Sequence, residues 1–463
     1  MSGFGGGGGG GRFGGGRSSG GGRSGGGRGR GRGGRGRGRS NSNSGGAGGR
    51  GGGGGGGGNY PKPLIEACKD FTKNGGNCSR GNGCRFSSGH VLKVFTTFDA
   101  SGPMPQTDSN SNSNYNTNNN YQKMAPVTSI ATWETQGQTK IFTGSKDGFW
   151  RLWTFANNTF VKEYENYMNG GSVDCLVVAS NFLFCGFEGL SPTLPDCPVG
   201  MIHAWNLSNP ADQPLEFHAH PAMMAYAHNT AVTKLLVDGQ NVVSGSRDGG
   251  IRVWSFTNGA FVMSHSLPGH AREITGLALA DGMLWSASAD GSIRIWDLSK
   301  GGECKHLISS GGPSQPNGAP PLQPGEGHTD AVTGLIEFKN QAGTFLLSCS
   351  LDGTIKAWNA SNGQKVTEVN CEEGITSMAM GADMNGKDCL LIGLASGSFM
   401  VRNLEPTPKV PDAFSLLLSI SHYNAASHRG PVKQLTKGPQ GTFYSVGDDG
   451  KCIVFQFLGD IGL

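Results

Sequence analysis

Four residues near the start of the chain have the types and spacing to hold a metal ion. Cys68, Cys78, Cys84 and His90 stand as C-x9-C-x5-C-x5-H within NYPKPLIEACKDFTKNGGNCSRGNGCRFSSGHV. Three thiolates and an imidazole within about two dozen residues suit tetrahedral zinc. So short a segment has no core of its own, so binding the metal would fold it. A purely structural knuckle and a metal site in which the aromatic and basic residues between the ligands face a partner are both open at this point.

Ahead of this cluster the chain reads MSGFGGGGGGGRFGGGRSSGGGRSGGGRGRGRGGRGRGR, and residues 1–58 hold 35 glycines, ten arginines and no acidic residue or lysine. The formal net charge of +4 therefore divides into +10 for this tail and −6 for the remainder. Such a composition cannot bury a core and predicts disorder. Arginine alternating with glycine makes a flexible cation whose guanidinium planes pair with phosphates and stack on unpaired bases. Phe4 and Phe13 add two aromatic contacts, and the absence of lysine argues against a merely solubilising tail.

Other chemistry is harder to place. The remaining eight of eleven cysteines are scattered without regular pairing and read as small buried apolar residues of a reducing compartment. No signal peptide and no membrane-length apolar run is expected. Neither a phosphate-binding glycine loop, nor paired carboxylates, nor a nucleophile elbow is found, so no enzyme activity and no small-molecule substrate are expected.

The elements that must carry any site follow from a ruler in the last three quarters of the chain. In Ser244–Trp254, SGSRDGGIRVW, Asp248 precedes Trp254 by six residues, and the interval recurs as Asp147/Trp153, Asp290/Trp296 and Asp352/Trp358. Two worn copies keep it as Ser396/Arg402 and Asp449/Phe455. Four residues before each Asp stands a hydroxyl, at Thr143, Ser244, Ser286, Ser348 and Ser445, with Ile392 in the worn copy. Alternating apolar residues, an Asp-Gly turn and a second alternating run predict two strands and a tight turn. His228, His270, His328 and His428 lie upstream of several copies.

This pattern resembles the WD-repeat family, in which the histidine, the hydroxyl, the turn Asp and the Trp form a hydrogen-bonded chain inside each blade of a β-propeller. The resemblance makes Asp147, Trp153, Asp248, Trp254, Asp290, Trp296, Asp352 and Trp358 structural. Seven blades are expected over 126–458, ending at Trp153, Trp205, Trp254, Trp296, Trp358, Arg402 and Phe455. In the second, the insertion Glu188–Val199 is expected to replace the turn, with Gly200 keeping the glycine place.

The tail resembles the RGG-box of RNA-binding proteins. The cysteine segment resembles the CCCH zinc-finger family, since Phe71 stands three after the first Cys, Gly81 lies between the second and third, and Arg85-Phe86 follows the third. That resemblance implies that Phe71 and Phe86 stack between bases of single-stranded RNA, with Lys69, Lys73, Arg80 and Arg85 near phosphates. The gaps of nine and five depart from the usual eight and three, and Ser88 holds the usual histidine place, so His90 would reach the metal from a longer loop. From about residue 60 onward the chain is similar to plant-type proteins that join a CCCH finger to a WD-repeat propeller.

The expected organisation is therefore all-β: a disordered tail (1–59), a CCCH-type finger (60–91), a propeller-closing strand with an asparagine-rich loop (92–125) and the seven-bladed propeller (126–458). The function expected is a zinc-binding, RNA-associated scaffold whose propeller holds protein partners. A protein-only adaptor such as a ubiquitin-ligase substrate receptor is the alternative, disfavoured by Leu298-Ser299 after Trp296-Asp297. Arginine–glycine content points to the nucleus, with the cytoplasm as the alternative. Thr107–Tyr121 and Ser309–Gly325 read as surface loops. Because the seventh blade has residues for three strands only, Val91–Phe98 (VLKVFTTF) is expected to pair antiparallel with Cys452–Phe457, whose apolar edge would otherwise be open to aggregation.

Overall fold

The computed structural model of the chain describes residues 67, 69–74, 76–80, 84, 91–104, 123–169, 171–191, 194–209, 212–219, 226–311, 325–406, 412–459 and 461. The arginine–glycine tail, the asparagine-rich tract, most of the proline-rich linker, and Cys68, Arg85, Phe86 and His90 lie outside the described residues, as does the side chain of Phe71.

Seven four-stranded antiparallel sheets form the fold. Blade one covers 127–167, two 173–216, three 232–267, four 274–308, five 332–370, six 375–420 and seven 432–457. Within each of the first six, strands follow in chain order from the axis outward. The first strand of every blade touches the first strands of both neighbours, and that of blade seven touches that of blade one, so the sheets close into a ring. The chain is a seven-bladed β-propeller.

Its core is divided rather than central. Seven apolar clusters lie one to each blade interface, for example Val243, Ile251 and Val253 of blade three against Ile274, Leu284 and Trp296 of blade four. Alternation of the first strands serves this arrangement: Ile274–Ala280 buries every second residue. Each interface is seeded by a β-branched residue that opens the first strand, at Val127, Val173, Val232, Ile274, Val332, Ile375 and Val432, all fully buried.

Blade seven borrows its outer strand from the N-terminal side. Leu92–Asp99 pairs antiparallel with Lys451–Phe457, from Leu92 opposite Phe457 to Asp99 opposite Lys451, with a bulge between Val94 and Thr96. It joins two interfaces. Leu92 is buried in the cluster between blades six and seven, whereas Phe98 lies 4.7 Å from Trp153, ring to ring, against blade one. Beyond it the chain turns through a bridge of Pro103 with Met124 and enters blade one.

Blade two departs from the sequence expectation. Glu188–Val199 does not replace the turn; it lengthens both strands, so that Phe182–Ser191 and Leu194–Asn206 continue as one ladder with Glu188 opposite Gly200 and Leu190 opposite Pro198. The hairpin projects on the side of the Asp turns, while the blade's outer strand shrinks to Leu215–Glu216. The insertion alternates well enough to extend a ladder already formed, and a longer ladder satisfies its backbone groups where a loop would need water or side chains.

Removing residues 1–99 should therefore lower the melting temperature by several degrees relative to removing 1–89, or cause aggregation, because only the longer deletion uncovers Lys451–Phe457. Thermal denaturation of the two truncations checks this; coincident melting curves would contradict it.

Candidate functional site

The repeated polar residues meet because of strand register. Val242 pairs with Trp254 and Ser244 with Arg252, which places the hydroxyl diagonally across from the indole on one face of the sheet. Trp254 Nε1 donates to Ser244 Oγ at 2.8 Å, and His228 Nε2 lies 2.7 Å from the same oxygen. Blades four and five repeat the geometry with Trp296, Ser286 and His270, and with Trp358, Ser348 and His328, every contact at 2.8 Å.

In these two blades the chain runs on to a carboxylate. His270 Nδ1 lies 3.3 Å from Asp290 Oδ2 and His328 Nδ1 3.0 Å from Asp352 Oδ2, and the following backbone N–H, Ala271 or Thr329, donates to the same oxygen. Burial works against charge on Asp290 and Asp352, but these hydrogen bonds outweigh it and hold both well below the usual carboxylate range. Blade seven keeps His428, Asp449 and Ser445, but Phe455 supplies no N–H.

Asp248 behaves differently. It is exposed, and the hydrogen bond it accepts comes from Gly250 N at 2.8 Å, within its own turn. Among the described residues the chain of blade three stops at His228. Gly249, next to it, is required twice: φ is +83°, and a Cβ there would lie 2.4 Å from the His270 carbonyl oxygen of the next blade.

Blade one lacks the histidine and substitutes a cation. Asp147 accepts from Gly102 N at 2.6 Å and from Arg151 Nη2 at 2.7 Å, while Trp153 Nε1 donates to Thr143 Oγ1 at 2.8 Å. Burial opposes the charge on Asp147, and the hydrogen bonds from Arg151 and Ser145 still hold its carboxyl below the ordinary value. Blades two and six have lost the chain. Cys185 stands at the hydroxyl place of blade two, and Arg402 at the Trp place of blade six donates to the Phe414 carbonyl at 2.7 Å.

Two recurrent features escaped the sequence reading. A threonine follows the seeding residue in five blades, at a bulge, and its hydroxyl donates to the next blade: Thr233 Oγ1 to Ile274 O at 2.6 Å, Thr333 to Ile375 O and Thr376 to Val432 O at 2.8 Å. The Val/Ile-Thr pair was the available signal. A cation two residues before Trp was another: Arg151, Arg252, Arg294 and Lys356, of which Lys356 Nζ donates to the Glu326 and Gly327 carbonyls at 3.0 and 2.9 Å.

The cysteine segment is fixed at both ends to the propeller rim. Ala67 is buried in the cluster between blades six and seven, and its N–H donates to Ser419 O of blade six at 2.9 Å. At the other end Leu458 N donates to Val91 O at 2.8 Å. Between them runs a five-residue helix, Lys69–Lys73, in which Thr72 is buried while Lys69 and Lys73 are exposed. Arg80 is exposed, Cys78 half-buried and Cys84 buried. No helix among the described residues is long and apolar enough to cross a membrane.

WD40 repeats, the family described as WD domain, G-beta repeat, match residues 221–255, 261–297 and 320–359. These are blades three to five, where histidine, hydroxyl and Trp are all present. Among solved structures the chain is similar to the WD40 β-propeller domain of Doa1, with 18% identity, a TM-score of 0.51 and coverage of 72% of this chain and 93% of that one. It is also similar to the computationally designed Ika8 protein, with 21% identity, a TM-score of 0.47 and coverage of 72% and 96%. No curated protein matches the chain.

Two stability predictions follow from the geometry. Asp352→Ala leaves donors on the buried His328 and the half-buried Thr354 without their acceptor and should cost about 3 kcal/mol, whereas Asp248→Ala should stay within about 0.5 kcal/mol of wild type; urea denaturation of both variants reads the difference. Burial pushes the His228 imidazole down to about 3 and also lowers His270. The unfolded chain therefore takes up protons below about 6.5 that the fold refuses, so stability should fall with pH from there toward the His228 value, approaching about 1.4 kcal/mol per pH unit for each such imidazole. Urea midpoints between neutral pH and mild acid check the slope, which His228→Gln should make shallower.

Proposed function

We propose that the chain is a scaffold whose WD-repeat propeller holds protein partners while the segment 60–91, as a zinc finger, and the arginine–glycine tail contact single-stranded RNA in the nucleus. The observation that carries this reading is the anchoring of the cysteine segment: Ala67 and Val91, immediately outside the first and last of the four ligands, are both hydrogen-bonded to the propeller rim. Between these two anchors Lys69, Lys73 and Arg80 are exposed.

The donor set fits zinc. Two thiol residues of the set, Cys78 and Cys84, are at least half-buried within a segment too short to have another core, and Cys68 and His90 adjoin the two anchors. Those four residues would hold the ion, which would supply the folding energy of the segment. Exposed Lys69, Lys73 and Arg80 would lie along a bound strand, with Arg85 beside them and Phe71 and Phe86 stacking on bases. The tail adds sequence-independent affinity through its ten arginines.

Metal analysis of the purified chain should find zinc in the wild type and its loss in Cys84→Ser; equal content in both would refute the finger. RNA binding should weaken steeply with salt through the tail. Phe86→Ala should cost roughly 1–3 kcal/mol on preferred sequences and little on random ones. Binding titrations across salt concentrations measure both, and a uniform loss across sequences would contradict this division.

A further inference from the structure

Blade two lacks a cation that other blades possess, and the gap opens onto a cavity. In blade one Arg151 pairs across the strands with Glu165, Nε to Oε2 at 3.2 Å, and in blade five Lys356 pairs with Glu368 at 3.4 Å. The same register in blade two brings His203 opposite Glu216. Their closest approach is 3.7 Å, and His203 Nε2 is buried without a hydrogen-bond partner. Burial pushes this imidazole down to about 4, so at neutral pH it brings no charge to the carboxylate. The other oxygen of Glu216 lies 3.5 Å from His218 Nε2, and its side chain is 47% exposed.

Because the outer strand of this blade is only two residues long, a cleft of about 470 Å3 remains between it and blade one. Tyr164, Tyr167 and Trp205 line it together with His203, Asp212 and Glu216, and among the described residues no lysine or arginine does. The two tyrosines, 53% and 50% exposed, belong to the outer strand of blade one, Thr159–Tyr167, and point to opposite faces of it: Tyr164 lies 5.4 Å from Trp150 on the face toward blade two, whereas Tyr167 lies 4.8 Å from Phe149, ring to ring in each case. Aromatic faces beside two carboxylates attract a cation and repel a phosphate backbone. A planar guanidinium meets both demands, stacking on a ring while donating two hydrogen bonds to one carboxylate.

We infer that the cleft between blades one and two binds an arginine side chain of a protein partner, seated against Tyr164 and paired with Glu216. The incoming guanidinium supplies from outside the cross-strand cation that Arg151 supplies within blade one. This rests on the reading of the propeller as a protein-binding platform and gives that platform a site and a partner chemistry. Charge decides against RNA here, since among the described residues two carboxylates and no lysine or arginine line the cleft.

The test uses the full chain and a fluorescein-labelled capped peptide, Gly-Ser-Gly-Arg-Gly-Ser-Gly, with a twin in which neutral, isosteric citrulline replaces arginine. Fluorescence anisotropy should show the arginine peptide binding about tenfold tighter or more than its twin. Glu216→Gln and Tyr164→Ala should each reduce that affinity about fivefold while changing the melting temperature little, since both side chains are about half exposed. Equal binding of the two peptides, no binding at millimolar peptide, or variants that bind like wild type would overturn the assignment. So would displacement of the peptide by a uridine decamer from the wild type, which would make the cleft a nucleic-acid site. Crosslinking of the chain to cellular proteins, mapped by mass spectrometry, separates the two readings: partners joined only to other blades overturn the cleft and leave the platform, and no crosslinked partner on any blade overturns the platform as well.

Discussion

Burial between neighbouring blades is the constraint on which everything else in this molecule depends. No blade has a core of its own; each hides its apolar faces against the blades on either side, and the ring exists because the seventh interface closes on the first. The contact is tight where it begins. Ile274 enters blade three at Gly245, where a Cβ would come within 2.4 Å of it, so the first strand of one blade is seated in a notch of the one before. Thr233 fastens the same place with its hydroxyl on the Ile274 carbonyl. Close packing of this kind makes the interface intolerant of added volume, in the way protein interiors generally are.

Against that background the polar chains are reinforcements, and the molecule shows it by varying them. Blades four and five run from Trp through hydroxyl and imidazole to a carboxylate, blade three stops at the imidazole, blade one uses a guanidinium, and blades two and six have none. All seven nevertheless keep the buried β-branched residue at the start of the first strand. Buried polar groups must be satisfied where present, but a blade that replaces them with apolar groups loses little, because the packing that defines it is elsewhere. Arg402 illustrates the intermediate case. It occupies the Trp place, stays buried, and is accommodated by the Phe414 carbonyl.

How much of this was legible in sequence follows from the same distinction. The Asp-to-Trp ruler is set by a tight turn of fixed length, and turns leave sharp residue signatures, so blade number and the strands of blade seven could be read directly. Leu92–Asp99 could be read because an unpaired apolar edge must find a partner. The Val/Ile-Thr pairs were overlooked because their role is between blades and has no local signature beyond two β-branched residues in a row. The partner of Asp248 could not be read for a related reason: an Asp in a turn can cap the turn itself or reach a distant imidazole, and spacing alone does not separate the two. The cleft in blade two could not be seen at all, since it depends on an outer strand that forms for only two residues.

The unusual spacing of the proposed finger has a physical reading in the way its ends are held. Val91 is committed to the rim by the Leu458 N–H, and Leu92 is buried immediately after it. The chain between Cys84 and His90 must span whatever distance separates the third thiol from the start of the closing strand. Anchoring would also lower the entropic cost of closing the loops of the proposed zinc site, because Ala67 and Val91 are already held by the propeller. In the proposed finger the last ligand would directly precede the strand that completes the ring, so the two share one stretch of chain.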